Sequence, residues 1–321
     1  MVLDVYRHNT TVYVDLNPAN WIEMPDKEIL EAAALDPAPA QVRIRRTIEY
    51  NVAIFMELEF TEPQFSIKIA DKIYEVKQPP TLPLVDLQLC LVFKNEWARL
   101  PTVLNYYRRT HGVQRFILYD NQSEDPPSAE LMAQPDVVYE RWSIPYKHTI
   151  TDKKNLSPTY GGPETIIIAQ NSAYSHCLKR YRQATWTMLF DTDEFIVRRR
   201  GAEPLISLVQ RIPPTIDTIL MKGYWAGCNS IKQSEIYNSL NKFARRSQKF
   251  CMNKLILRTA SHVFTNCIHN PYPNQGKIVM LSPDRGLYFF HLYTASSKNR
   301  PCDCKIYCQV PDRSFQESLT Y

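Results

Sequence analysis

Residues 85–125 read VDLQLCLVFKNEWARLPTVLNYYRRTHGVQRFILYDNQSED. Val85–Phe93 is almost continuously apolar, the composition of a strand buried on both faces. From Asn95 to Thr110 the period becomes helical, with Trp97, Leu100, Leu104 and Tyr107 on one face. Pro101 suits an early helical position, where its missing N–H costs nothing, so the helix starts near it or bends there. His111-Gly112 ends it, and Arg115–Tyr119 is a second short apolar run. Strand, helix, strand in this order is a βαβ unit: the two strands are parallel and the crossover has a fixed hand. The chain is therefore expected to carry an α/β domain.

Working outward, Val137–Arg141 predicts a third strand, Pro163–Arg182 a long helix with Ile167, Asn171, Tyr174 and Leu178 on one stripe, Trp186–Phe190 a short apolar strand, and Thr218–Lys222 another. Upstream the texture differs. Val12–Asp15, Gln41–Ile48, Val52–Phe60, Phe65–Ile69 and Lys72–Val76 are short β-branched and aromatic runs between turn residues. Gln78-Pro79-Pro80-Thr81-Leu82-Pro83 reads as a stiff connector. The expectation is a small β-rich module over residues 1–80 and an α/β domain over residues 84–321.

Composition narrows the function. At 44% hydrophobic and 22% charged residues, the 321-residue chain is a folded one. A net charge of +5 is too mild to point to nucleic acid, but suits a small anionic ligand such as a nucleoside diphosphate. Only 8 glycines are present, and neither GxGxxG nor GxxxxGK[ST] occurs, which argues against a glycine-rich phosphate loop. There is no apolar run of about 18 residues, and the N-terminus MVLDVYRHNTT has no signal-like stretch. Any membrane anchor is thus expected only in sequence preceding this one. The 8 cysteines, an even number, fit disulfides of the secretory pathway. Cys302, Cys304 and Cys308 cluster without the spacing of a zinc finger, which leaves both disulfides and zinc open for them. N-x-[ST] triplets occur at Asn9, Asn121 and Asn155.

In open α/β sheets, ligands gather beyond the carboxyl ends of the strands. Three polar clusters fall there: Lys94-Asn95-Glu96, Asp120-Asn121, and Asp191-Thr192-Asp193-Glu194. Asn95 and Glu96 are candidates for the donor ligand, with a helix cap as the plain alternative for Asn95. Asp120 and Asn121 could receive hydrogen bonds from a base or a ribose, or simply form an Asx turn before Pro126-Pro127. The third cluster is the most informative. Asp191 and Asp193, two residues apart and leaving a buried strand, can face one hard cation, Mn²⁺ or Mg²⁺, which prefers oxygen ligands and shares its shell with phosphates. Three acids within four residues at the end of a buried strand call for a partner.

The segment LCLVFKNEWARLPTVLNYYRRTHGVQRFILYDNQSED, followed later by WTMLFDTDEFI, resembles glycosyltransferase family 92. Gly223-Tyr224-Trp225-Ala226-Gly227, Lys254-Leu255-Ile256-Leu257-Arg258 and Phe289-Phe290-His291-Leu292-Tyr293 are similar to further motifs of that family, although a leucine separates the histidine from the tyrosine. The resemblance covers about residues 85–295. It implies a GT-A-like nucleotide-diphospho-sugar transferase domain that moves a hexose, galactose, from a UDP-sugar to a glycan such as an N-glycan, in the Golgi. It further implies His291 as a third metal ligand beside Asp191 and Asp193, with Asp191, Lys254 and Arg258 facing the donor. An inverting transfer needs a carboxylate to take the acceptor's proton. Glu194 and Glu235 are the candidate bases, with Asp217 behind them. Two other readings stay open: a metal-dependent hydrolase or nucleotidyltransferase using the same acids, and a catalytically silent glycan-binding protein.

Overall fold

The computed structural model describes residues 2–46, 53–125, 127–149, 165–227, 245–246, 253–261, 277–281, 286–292 and 310–311. Two compact units divide the chain. One takes in Met1–Pro83 and Arg141–Gln183, the other Leu84–Glu140 and Ala184–Ser261 together with the last strands.

In the first unit, strands β1 (Val2–His8), β2 (Thr11–Leu16), β3 (Gln41–Arg46) and β4 (Ile54–Glu59) form an antiparallel sheet in the order β1-β2-β4-β3. Helices α1 (Pro18–Trp21) and α2 (Asp26–Ala33) lie in the connection after β2, and Asn17 caps α1 by accepting from the Ala19 N–H. β5 (Ser66–Ile69) and β6 (Lys72–Glu75) form a hairpin.

The second unit opens with the strand–helix–strand pattern that the sequence predicts: β7 (Val85–Phe93), α3 (Leu100–His111) and β8 (Arg115–Asp120), with β7 and β8 parallel. Pro101 sits in the first turn of α3, and Gly112 closes the helix at φ 71°, the left-handed conformation that glycine adopts without cost. The short helix α4 (Ala129–Met132) precedes β9 (Val137–Arg141).

The next elements return to the first unit. β10 (Lys147–Thr149) pairs with β11 (Thr165–Ile167), and α5 (Ala169–Arg180) follows. Part of the expected helix over 163–182 is thus a strand. Thr165-Ile166-Ile167 is a β-branched run, stiff at χ1, which packs better in a ladder than in a helical turn. α5 is buried nearly all round from Ala169 to Lys179, so its polar residues need partners within the unit. They have them: Lys179 Nζ donates to Asp15 at 2.6 Å, and His176 Nε2 lies 3.0 Å from Asp4.

The chain then re-enters the second unit with β12 (Ala184–Leu189), β13 (Glu194–Arg198), α6 (Leu205–Arg211), β14 (Ile216–Gly227), β15 (Arg245–Arg246), β16 (Asn253–Arg258), β17 (Lys277–Leu281), β18 (Leu287–Leu292) and β19 (Val310–Pro311). Among the described residues these strands join β7, β8 and β9 in an eleven-stranded sheet whose main path is β13-β18-β14-β16-β12-β7-β8-β9. β12, β7 and β8 run parallel, and β16 is antiparallel to β12. β14 is longer than the predicted Thr218–Lys222 because it serves two sets of neighbours. Its first half pairs with β16 and β17, its second with β18 and β15. Leu89, Leu91, Met188, Phe190, Phe195, Ile256 and Phe289 belong to one buried core.

Candidate functional site

Because β7, β8 and β12 are parallel, the segments that follow them emerge on one edge of the sheet. Hydrogen bonds tie the three together. The Asn121 N–H donates to the Phe93 carbonyl at 2.7 Å, the Asn95 N–H to Ser123 Oγ at 2.8 Å, and the Glu124 N–H to Asn95 Oδ1 at 2.8 Å. Asn95 takes a φ of 55°, which asparagine tolerates better than most residues. It lies five residues before α3 and does not cap it; its side chain braces the β8 loop instead. Glu96 accepts from Thr192 Oγ1 and, at 2.7 Å, from Arg99 Nη1, which links the first loop to the third.

Asp191-Thr192-Asp193-Glu194 is a tight turn between β12 and β13. The Glu194 N–H donates to the Asp191 carbonyl at 3.2 Å, and the Asp191 N–H donates back to Glu194 Oε2 at 2.9 Å. Helix α3 clamps the strand that follows. Tyr107 Oη donates to the Glu194 carbonyl at 2.8 Å, while Tyr106 Oη and His111 Nε2 both reach the Ile196 carbonyl, at 2.5 and 2.7 Å.

Two strands deliver the remaining groups. β16 brings in Lys254, whose Nζ lies 2.8 Å from Asp191 Oδ2 and 3.0 Å from Glu194 Oε2, with Lys254 and Glu194 both fully buried. β18 brings in His291. It stands opposite Glu194 on one side and Trp225 on the other, and the Trp225 indole stacks on its ring at 4.4 Å between centroids. His291 Nε2 is 3.3 Å from Asp193 Oδ2, and its Nδ1 is 3.7 Å from Glu194 Oε1.

The electrostatics follow from burial and pairing. Burial is the largest influence on Glu194 and pushes its carboxyl up to about 7, against the pull of Lys254. On Lys254 burial acts first and downwards, but Asp191 and Glu194 outweigh it and hold the ammonium above the ordinary lysine value. The lysine is thus a fixed cation at neutral pH, held between Asp191 and Glu194.

The structure brings together Asn95, Glu96, Asp191, Asp193, Glu194, Lys254 and His291. It does not bring Arg258 to them. β16 runs antiparallel to β12, so Lys254 meets the turn while Arg258 lies about four residues, roughly 13 Å, further along. There its Nε donates to the Ile216 carbonyl at 2.8 Å and its guanidinium covers the Trp186 ring. Asp217 is near the start of β14, accepting from Ser261 Oγ. Asp120 is fully buried; its Oδ1 accepts from the Ser123 N–H and its Oδ2 from Tyr139 Oη, so it serves as a turn residue. Asn121 is also buried, at 3% exposure, which leaves its side chain little access for a glycan. Lys254 has an ionic role instead of direct contact with a diphosphate, because a fully buried ammonium between two acids has no exposed face. Glu194 is similarly closed to an acceptor hydroxyl. Glu235, Asn155, Cys302, Cys304 and Cys308 lie outside the described residues. Among the described residues, no three of His, Cys, Asp and Glu are grouped as ligands of one ion.

Sequence reasoning missed three contributors: Ser123, Thr192 and the pairing of Trp225 with His291. The signal for Lys254 was present, since one lysine at the head of the apolar run Leu255-Ile256-Leu257 must either snorkel or find buried acids.

Among solved structures, the chain is similar to the apo structure of the WbbM bifunctional glycosyltransferase. The identity is 11%, the likeness covers 63% of this chain and 36% of that one, and the TM-score is 0.29. The chain thus spans about a third of the length of that structure. No curated protein matches it significantly. The model of glycosyltransferase family 92 matches residues 89–301, from β7 past His291 and so across the whole of the edge just described. With that match over about two thirds of its length, the chain belongs to glycosyltransferase family 92.

Proposed function

We propose that the enzyme moves a hexose, galactose, from a UDP-sugar to a glycan acceptor with inversion, and that Mn²⁺ or Mg²⁺ assists. The observation that carries this reading is the pairing of Asp193 with His291. These residues are 98 positions apart in sequence, yet Oδ2 and Nε2 stand 3.3 Å apart on the sheet edge. That spacing suits neighbouring ligands of one ion, each about 2.1 Å from it. Asp191 fits less well as a third ligand, since its Oδ2 already answers Lys254. Asp193 and His291 would therefore hold the ion, with the donor diphosphate completing its shell. When bound, a divalent ion supplies positive charge against the diphosphate as it leaves.

The chain's own residues do the rest. Glu96, Thr192 and Asn95 brace the loops that flank the donor. Glu194, buried and held by Lys254 and the Asp191 N–H, positions the turn. The acceptor oxygen attacks the anomeric carbon, the bond to UDP breaks, and the acceptor proton passes to a carboxylate, for which Glu235 remains the candidate. The same reading makes the secretory pathway the place of action and an N-glycan the acceptor class.

Purified protein is incubated with UDP-galactose, UDP-glucose and UDP-N-acetylglucosamine in the presence of Mn²⁺, and UDP release is followed with and without glycan acceptors. Acceptor-dependent release that is lost in EDTA and in Asp193→Ala supports the proposal. Release indifferent to acceptor favours the hydrolase instead, and full activity in EDTA removes the metal from the account.

A further inference from the structure

We infer that Lys254 is a positioning residue for the donor site. Its buried ammonium fixes Asp191 and Glu194, and with them the turn that sets Asp193 against His291 Nε2. The inference rests on the reading of this edge as a nucleoside-diphosphate and cation site.

Geometry carries it. Lys254 Nζ is 2.8 Å from Asp191 Oδ2 and 3.0 Å from Glu194 Oε2. Glu194 Oε2 also accepts from the Asp191 N–H at 2.9 Å, so lysine, glutamate and turn backbone form one closed unit. The other oxygen of the same carboxylate, Oε1, is 3.7 Å from His291 Nδ1. At that distance the two do not hydrogen-bond; the ring meets the turn through Nε2, 3.3 Å from Asp193 Oδ2. Trp225, stacked on the ring, restrains its tilt. Lys254 is wholly buried, so its ammonium does not itself touch the ligand.

The supporting chemistry makes a distinct forecast for two variants. Lys254→Met alone leaves a buried carboxylate unpaired and is expected to lose stability. The double variant Lys254→Met/Glu194→Met replaces the fully buried pair by apolar side chains of similar length, which buried ion pairs often tolerate, and leaves the partly exposed Asp191 to water. Glu194→Gln keeps the volume but not the symmetry of the carboxylate. Its one oxygen then faces Lys254 and the Asp191 N–H without a negative charge, which loosens the turn; with the amide reversed, the NH₂ meets the Lys254 ammonium and the Asp191 N–H.

The experiment is calorimetric titration of UDP with Mn²⁺ into the full chain, with thermal unfolding run in parallel. The wild type binds. The double variant should regain part of the melting temperature that Lys254→Met loses, yet bind UDP with Mn²⁺ on the order of 10–100-fold more weakly. Glu194→Gln should fold as the wild type does and show a loss of the same order. Wild-type affinity in Glu194→Gln, or in a folded double variant, overturns the positioning role alone. A wild type that binds no UDP with Mn²⁺ overturns the functional reading, and the inference falls with it.

Discussion

Lys254 and Arg258 stand four residues apart on one strand, and their charges have different uses. Lys254 answers two acids at the Asp191–Glu194 turn, while Arg258 donates to the carbonyls of Ile216 and Pro213 and lies 4.3 Å from the centroid of the Trp186 ring. Arg258→Met should therefore leave the apparent affinity for a UDP-sugar unchanged. It should also lower stability by about 1–2 kcal/mol through lost hydrogen bonds and ring contact. A tenfold rise in the donor KM would return Arg258 to the site. His291 calls for the opposite pattern. His291→Ala should weaken Mn²⁺ affinity on the order of 10–100-fold while changing the melting temperature little, as the ring is partly exposed at the sheet edge. Unaltered Mn²⁺ binding by that variant would make His291 a packing residue beneath Trp225.

At the level of the element, β14 and β18 carry Trp225 and His291 side by side, and their pairing depends on a glycine. Gly223 sits opposite Phe289, and a Cβ there would come within 2.1 Å of Phe289 Cζ. The clash is with the tip of a buried ring, whose strand is flanked on both sides by others. Gly223→Ala should cost roughly 1–3 kcal/mol by overpacking, read as a lower urea midpoint with the slope unchanged. An unchanged midpoint would mean that the two strands are not held this closely. Periodicity predicted β7, α3 and β8 well because their apolar residues face the core of their own unit. It failed at β11 and the start of α5, where a β-branched triplet joined a hairpin whose other strand is 16 residues upstream. It also missed β13, since Glu194-Phe195-Ile196-Val197-Arg198 shows no alternation once both faces are buried.

Across the whole molecule, two buried groups lower stability in acid, while the raised carboxyl of Glu194 acts in the opposite sense between pH values of about 7 and 4.5. Burial lowers the pKa of His111 to about 4 despite its bond to the Ile196 carbonyl. The unfolded chain takes up that proton first, so stability is full above the unfolded value of 6.5 and is lost as the pH falls from there towards 4. The loss is on the order of 3 kcal/mol. His111→Gln, which can still donate to Ile196, should flatten the stability profile in that window. Asp4 acts lower. Burial alone would raise its pKa, but His176 and then Lys77 outweigh burial and bring it to about 2. Its contribution is present above 3.8 and disappears as the pH falls towards 2. The size is about 2 kcal/mol, and less in salt because Lys77 is exposed. Asp4→Asn should remove the lower slope and leave the upper one. Urea unfolding at pH 7, 5 and 3 checks both, and parallel profiles for wild type and variants would refute the assignment.

The sequence by itself determined the βαβ unit, the parallel pairing of β7 and β8, and the three polar clusters on one edge. Each follows from local periodicity and from the rule that parallel strands leave their ends together. It also supplied the resemblance that the family match bears out. Only the tertiary structure decided which charge meets which. Whether Lys254 or Arg258 faces Asp191 depends on the direction of β16 relative to β12, a long-range pairing that no window of residues encodes. The same holds for Glu194, whose carboxylate is closed off by Lys254 from one strand and His291 from another. A side chain's chemistry is written in its type, but its access and its counter-charge depend on neighbours 60 and more residues away.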